Sequence, residues 1–155
     1  MRYLDEHGLA NGDALAYFTQ TEHGGAVTRE GIAVPILGVR SDYYDFAVTV
    51  GEVDEEIFNQ NEAKIISRGW VFHSSGTLKI VGIGYFKDIS RIGEQNSLSF
   101  KLKRGRYRLE ILGGYQSANF SGSPASCDDT PVFHLRLTPS AELKFSGDLE
   151  TSFYF

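Results

Sequence analysis

The segment Ser97–Leu112, SLSFKLKRGRYRLEIL, restricts the fold more than any other part of the chain. Leu98, Phe100 and Leu102 alternate with Ser99, Lys101 and Lys103; beyond Arg104-Gly105, Tyr107, Leu109 and Ile111 alternate with Arg106, Arg108 and Glu110. A period of two sends the two sets to opposite sides of a pleated strand, so the segment predicts a β-hairpin with one apolar and one charged face. The alternation recurs at Phe133, Leu135 and Leu137 against His134 and Arg136, then at Leu143 and Phe145 around Lys144, which carries the predicted sheet to the C-terminal residues. Tyr44, Phe46, Val48 and Val50 make a further inward-facing set. Asp13–Thr19 (DALAYFT) and Gly31–Val39 (GIAVPILGV) read as earlier strands, the second at an edge or bulge because Pro35 cannot donate to a ladder.

Seventeen Gly, eleven Phe and eight Tyr, with a single Met, favour strands and turns over helices. The expected fold is all-β: an antiparallel β-sandwich or sandwich-like barrel, one domain over residues 1–155, with one short helix. That helix is placed at about Asp54–Glu62, where Asp54 can cap, Glu55 and Glu56 suit the positive end of the dipole, and Ile57 and Phe58 can pack inward. A domain of 155 residues buries about 68–70% of its unfolded surface. It needs no disulfide, and Cys127, the single cysteine, can form none within the chain. The charged start MRYLDEHG is unlike a secretory signal, and the longest apolar stretches fall well short of the roughly 20 residues of a membrane span. A cytoplasmic protein without a membrane partner is expected.

The Gly82-x-Gly84 pair in WVFHSSGTLKIVGIGYF raises the question of a phosphate loop. Such a loop needs a strand, a tight glycine turn and then a helix N-terminus, and no third glycine follows at the required offset. The stretch instead reads as a core hairpin turning at Ser74-Ser75-Gly76-Thr77, its glycines leaving room for a large ring such as Trp70 or Phe72. Cys127 with His134 or His73 would be a thiol–imidazole pair, but Asp128 and Asp129 beside the thiol oppose thiolate formation. Histidines 7, 23, 73 and 134 lack zinc-site spacing; Asp128, Asp129, Asp148 and Glu150 lack a calcium-loop pattern, and these acidic residues read as solvated turns, the chain being most loop-like over Asn119–Asp129. No catalytic residue, cofactor or metal ligand is assigned.

What remains is surface. Residues 1–62 carry twelve Asp/Glu against three Arg, and residues 63–155 carry eight against twelve Lys/Arg. The acidic side concentrates in Ser41–Glu62, where Asp42, Tyr43, Asp45, Glu55 and Glu56 are the candidate partner-binding residues: an outward tyrosine among carboxylates suits a basic protein. The alternative is the basic surface of Lys101, Lys103, Arg104, Arg106 and Arg108. Its bland account is a solvated sheet edge, and with Tyr107 pointing inward it lacks the stacking rings of a nucleic-acid groove. An acidic chain is in any case a poor generic nucleic-acid binder.

Together, GWVFHSSGTLKIVGIGYF and LSFKLKRGRYRLEILGG, within Gly69–Gly114, resemble small bacterial all-β proteins of the immunity type, encoded beside toxins that they neutralise. The resemblance covers roughly a third of the chain and carries over no functional residue. It implies an intracellular, non-catalytic protein that inhibits a partner by covering its active site. A binding or inhibitor protein therefore ranks first, with a basic toxin or enzyme as partner. The alternative is a ligand-binding β-module for carbohydrate or another small molecule, using Tyr43, Trp70, Tyr85 or Tyr115 as a platform. A hydrolase built on Cys127 or the acidic turns ranks last.

Overall fold

Residues 131–139 are covered on both sides: Val132, Phe133, His134 and Leu135 are all buried. A strand with two covered faces belongs inside a sheet. The computed structural model, which describes residues 3, 6–8, 13–40, 43–51, 63–115 and 131–155, places it there. Its strands are β1 (Asp45–Val50), β2 (Ile65–Ser74), β3 (Thr77–Val81), β4 (Ser97–Lys101), β5 (Gly105–Tyr115) and β6 (Pro131–Pro139). They form two open sheets, one of four strands in the order β1-β6-β5-β2 and one of two strands, β3-β4. The chain divides into two compact units, residues 1–33 with 72–105 and residues 34–71 with 106–155.

The fold is thus mostly β, as expected, with differences that have physical causes. β5 and β6 are antiparallel, pairing Leu109 with Leu137 and Ile111 with Leu135, but β1 runs parallel to β6, from Asp45 opposite Val132 to Val50 opposite Leu137. The larger sheet is therefore mixed rather than antiparallel, and neither sheet closes into a barrel. The predicted Ser97–Leu112 hairpin is not formed. β4 pairs with β3, while β5 lies between β6 and β2. At the junction Leu102 is buried and its N–H donates to the Gly76 carbonyl, and Gly105, with φ 156°, opens β5. Alternation marks two strands correctly but says nothing of which strand each will pair with. Leu98 is exposed for the same reason, whereas Tyr107, Leu109 and Ile111 are buried as expected.

The Trp70–Phe86 stretch is corrected likewise. β2 and β3 lie in different sheets, so Ser74–Thr77 is not a hairpin turn; there the Ser74 hydroxyl accepts from the Gly76 N–H. Gly82 caps a 3-10 turn over Ile83–Lys87 that contains Gly84, and neither glycine receives a tryptophan or phenylalanine ring. Trp70 packs instead on Phe145 and on Gly147. Residues 143–145 form no strand; among the described residues the β-bridge of the C-terminal stretch is the one between Leu37 and Ser152, and the predicted 31–39 strand is reduced to that bridge.

Where DALAYFT predicted a strand, the first unit has helix α1 (Ala14–Gln20), followed by α2 (His23–Arg29). Asp13 explains this: its carboxylate accepts from the Ala16 N–H at 2.8 Å, and Ala14, Leu15 and Ala16 are strong helix formers. Asp13→Ala is expected to cost about 1 kcal/mol, read as a loss in the urea midpoint with unchanged slope. The helix placed at 54–62 lies outside the described residues. Phe18 of α1 meets Phe86 edge-on, and the buried apolar residues of this unit include Ala14, Val27, Leu78, Ile89 and Leu102.

The second unit is organised around aromatic rings. Phe133 contacts Tyr44, Phe46, Phe153 and Phe155 with centroids 5.3–6.0 Å away. His134, on the opposite side of the same strand, is fully buried rather than solvated, and its Nε2 lies 2.9 Å from the Thr49 hydroxyl on β1. Beside it Glu110 of β5 pairs with Arg68 of β2 and Arg136 of β6, crossing three strands.

Candidate functional site

The residues around Tyr43 are positioned by the entry into β1. Tyr44 and Phe46 turn onto Phe133, and the alternation sends their neighbours outward: Tyr43 is 91% exposed and Asp45 is exposed. The inward set ends early, since Val50 at the end of the strand is half exposed. Asp42, Glu55 and Glu56 lie outside the described residues.

Beside this entry runs the C-terminal stretch. The Phe153 N–H donates to the Leu37 carbonyl at 2.7 Å, and Leu37 bridges Ser152. Arg40 then donates from Nη2 to the Tyr154 hydroxyl at 2.6 Å, with its guanidinium carbon 4.5 Å from the centre of the Tyr154 ring. The Arg40 N–H donates to the Tyr44 hydroxyl. The bond to Tyr154, and then the charge of that phenol, push the Arg40 pKa further up. Leu37, Val39, Tyr43 and Tyr154 are the exposed large apolar or aromatic residues of this edge, with Arg40 among them. Arginine and tyrosine are residue types enriched at the centres of protein interfaces.

The basic residues are not one face of one hairpin. Lys101, Lys103 and Arg104 belong to the first unit and Arg106 and Arg108 to the second; all five are exposed. Arg104 donates to the Ser75 carbonyl at 3.1 Å. Of the proposed ligand platform, Trp70 is 1% exposed, its indole N–H donating to the Ser67 hydroxyl, so it offers no surface. Tyr115 stands edge-on to Phe155, while Tyr85 is exposed. His134, offered as a base for Cys127, is buried against Thr49; Cys127, Asp128 and Asp129 lie outside the described residues. Asp148 accepts from the Glu150 N–H, as an acidic turn does.

Sequence reasoning missed Arg40. Its partner Tyr154 is 114 residues away, and nothing local to either residue announces the pairing. No helix among the described residues is long and apolar enough to cross a membrane. Comparison of the chain with protein-family models, with curated proteins and with solved structures finds no match.

Proposed function

We propose that the chain is a non-catalytic protein-binding protein, an intracellular inhibitor of the immunity type, and that it engages its partner through the edge formed by Tyr43, Arg40 and Tyr154. The observation that carries this is Tyr43, a tyrosine ring exposed over nine-tenths of its surface, three positions along the chain from an arginine held against a second exposed tyrosine. A rigid ring offers contact area at small entropy cost, and Arg40 is held at its backbone N–H by the Tyr44 hydroxyl and at its guanidinium by the Tyr154 hydroxyl. Asp45, exposed two positions on from Tyr43, adds the negative charge that draws in a basic partner.

The test is capture of binding proteins from a lysate of the native cell by immobilised wild type and by Tyr43→Ala, read by quantitative mass spectrometry. One protein should be retained by the wild type and lost by the variant, and calorimetry on that pair should show Tyr43→Ala weakening affinity by about 2 kcal/mol, roughly thirtyfold. Asp45→Lys should slow association most at low salt. Equal affinity of wild type and Tyr43→Ala, both folded, would move the interface elsewhere.

A further inference from the structure

Two of the four histidines, sixteen positions apart in sequence, meet in the first unit. His7 ends a helical turn in which its N–H bonds the Tyr3 carbonyl, and His23 opens α2. Their ring centroids are 6.1 Å apart and both side chains are exposed. Neither ring floats. Tyr17 of α1 stacks on His23 at 4.5 Å and 10°, and Tyr3 lies against His7 at 4.2 Å. The Tyr17 hydroxyl is 3.5 Å from His7 Nδ1 and also bonds the Tyr3 hydroxyl.

We propose that His7 and His23 form an open site for a divalent transition-metal ion of the kind that prefers imidazole, copper or zinc. With metal–nitrogen bonds of about 2.0–2.1 Å, two imidazoles sharing one ion have ring centroids roughly 5 Å apart at a tetrahedral angle and roughly 6.4 Å apart when they face each other across it. The observed separation falls inside that interval. Imidazole is a preferred ligand of both ions, and exposed rings leave an entry path. Among the described residues no third His, Cys, Asp or Glu joins the pair to make a larger cluster, so the other coordination positions go to water or to an external ligand. Tyr17 is a positioning residue: by accepting from Nδ1–H it presents Nε2 of His7, unprotonated, to the ion, the role that a hydrogen-bond partner of a ligating histidine commonly has. A bound ion would tie the Tyr3–His7 turn to α2.

The tag-free, full-length protein is titrated with Zn2+ and, separately, with Cu2+. Calorimetry should give one ion per chain, and the melting temperature should rise with Zn2+ concentration. Proton NMR of the wild type should show the His7 and His23 ring signals moving together while those of His73 stay in place, and the Cu2+ spectrum should show two coupled nitrogens. His7→Gln and His23→Gln should each weaken binding at least tenfold, Tyr17→Phe by about 10–100-fold, and His73→Gln not at all. Tyr17→Phe keeps the ring that stacks on His23, so its effect isolates the hydroxyl. The proposal is overturned if the wild-type His7 and His23 signals do not move together, or if either Gln variant binds as tightly as the wild type.

Discussion

Phe133→Ala should destabilise the protein by about 3–5 kcal/mol, the range for removing a buried phenylalanine. The residue is 1% exposed on the inner strand of the four-stranded sheet, and its ring touches four others. Tyr44 and Phe46 reach it from the β1 side, Phe153 and Phe155 from the C-terminal stretch. The lost ring and the cavity both count, and aromatic pairs add about 0.5–1.5 kcal/mol beyond their area. Urea unfolding followed by circular dichroism is the measurement, with Phe133→Leu expected to cost less and Arg108→Ala, on an exposed side chain of the neighbouring strand, to stay within about 0.5 kcal/mol. Equal costs at Phe133 and Arg108 would show that the faces of β5 and β6 are assigned the wrong way round.

Gly69→Ala is expected to cost about 2–4 kcal/mol, for two independent reasons. Gly69 has φ +84°, a conformation that disfavours any residue with a Cβ by about 1–2 kcal/mol. A Cβ there would also come within 2.6–2.8 Å of Ser146 and the Gly147 nitrogen, much of it backbone that cannot rotate away. The Ser146 N–H donates to the Gly69 carbonyl, so pushing this stretch off loosens a hydrogen bond as well. Gly147 lies directly beneath the Trp70 ring, and Trp70 is the sole tryptophan. The substitution should therefore shift tryptophan emission to the red in native buffer along with lowering the unfolding midpoint. An unchanged spectrum with unchanged stability would mean that 146–147 does not sit on β2.

Strand content was readable in the sequence because burial on one face imposes a period of two. Tyr107, Leu109 and Ile111 were assigned inward and are buried. Pairing was not readable, since it depends on where the chain goes next: Leu98–Leu102 and Tyr107–Ile111 alternate as a hairpin would, yet β4 and β5 enter different sheets. His134 was misjudged through its polarity. A histidine whose ring bonds a threonine across the sheet can occupy a core position, and Thr49 is 85 residues away. DALAYFT is helical because the Asp13 carboxylate caps the run that follows it, a signal that its apolar residues alone do not carry. At the candidate site, the outward direction of Tyr43 followed from alternation alone. Arg40 and Tyr154 did not, because their pairing is made only when the C-terminal stretch lies along 37–44.

The parallel register between β1 and β6 has a consequence for how the protein is made. In this sheet β1 has β6 as its partner, and side chains that bond across the pair, such as those of Thr49 and His134, are 85 positions apart. At about 5–20 residues per second, a ribosome releases β1 roughly 4–17 s before it releases the strand β1 must join. Parallel pairing over so long a loop is also slow for entropic reasons once both strands are free. During synthesis Phe46 therefore waits without Phe133 to cover it, and the nascent chain passes through a stage in which an apolar strand stands exposed until the chain that covers it has been made.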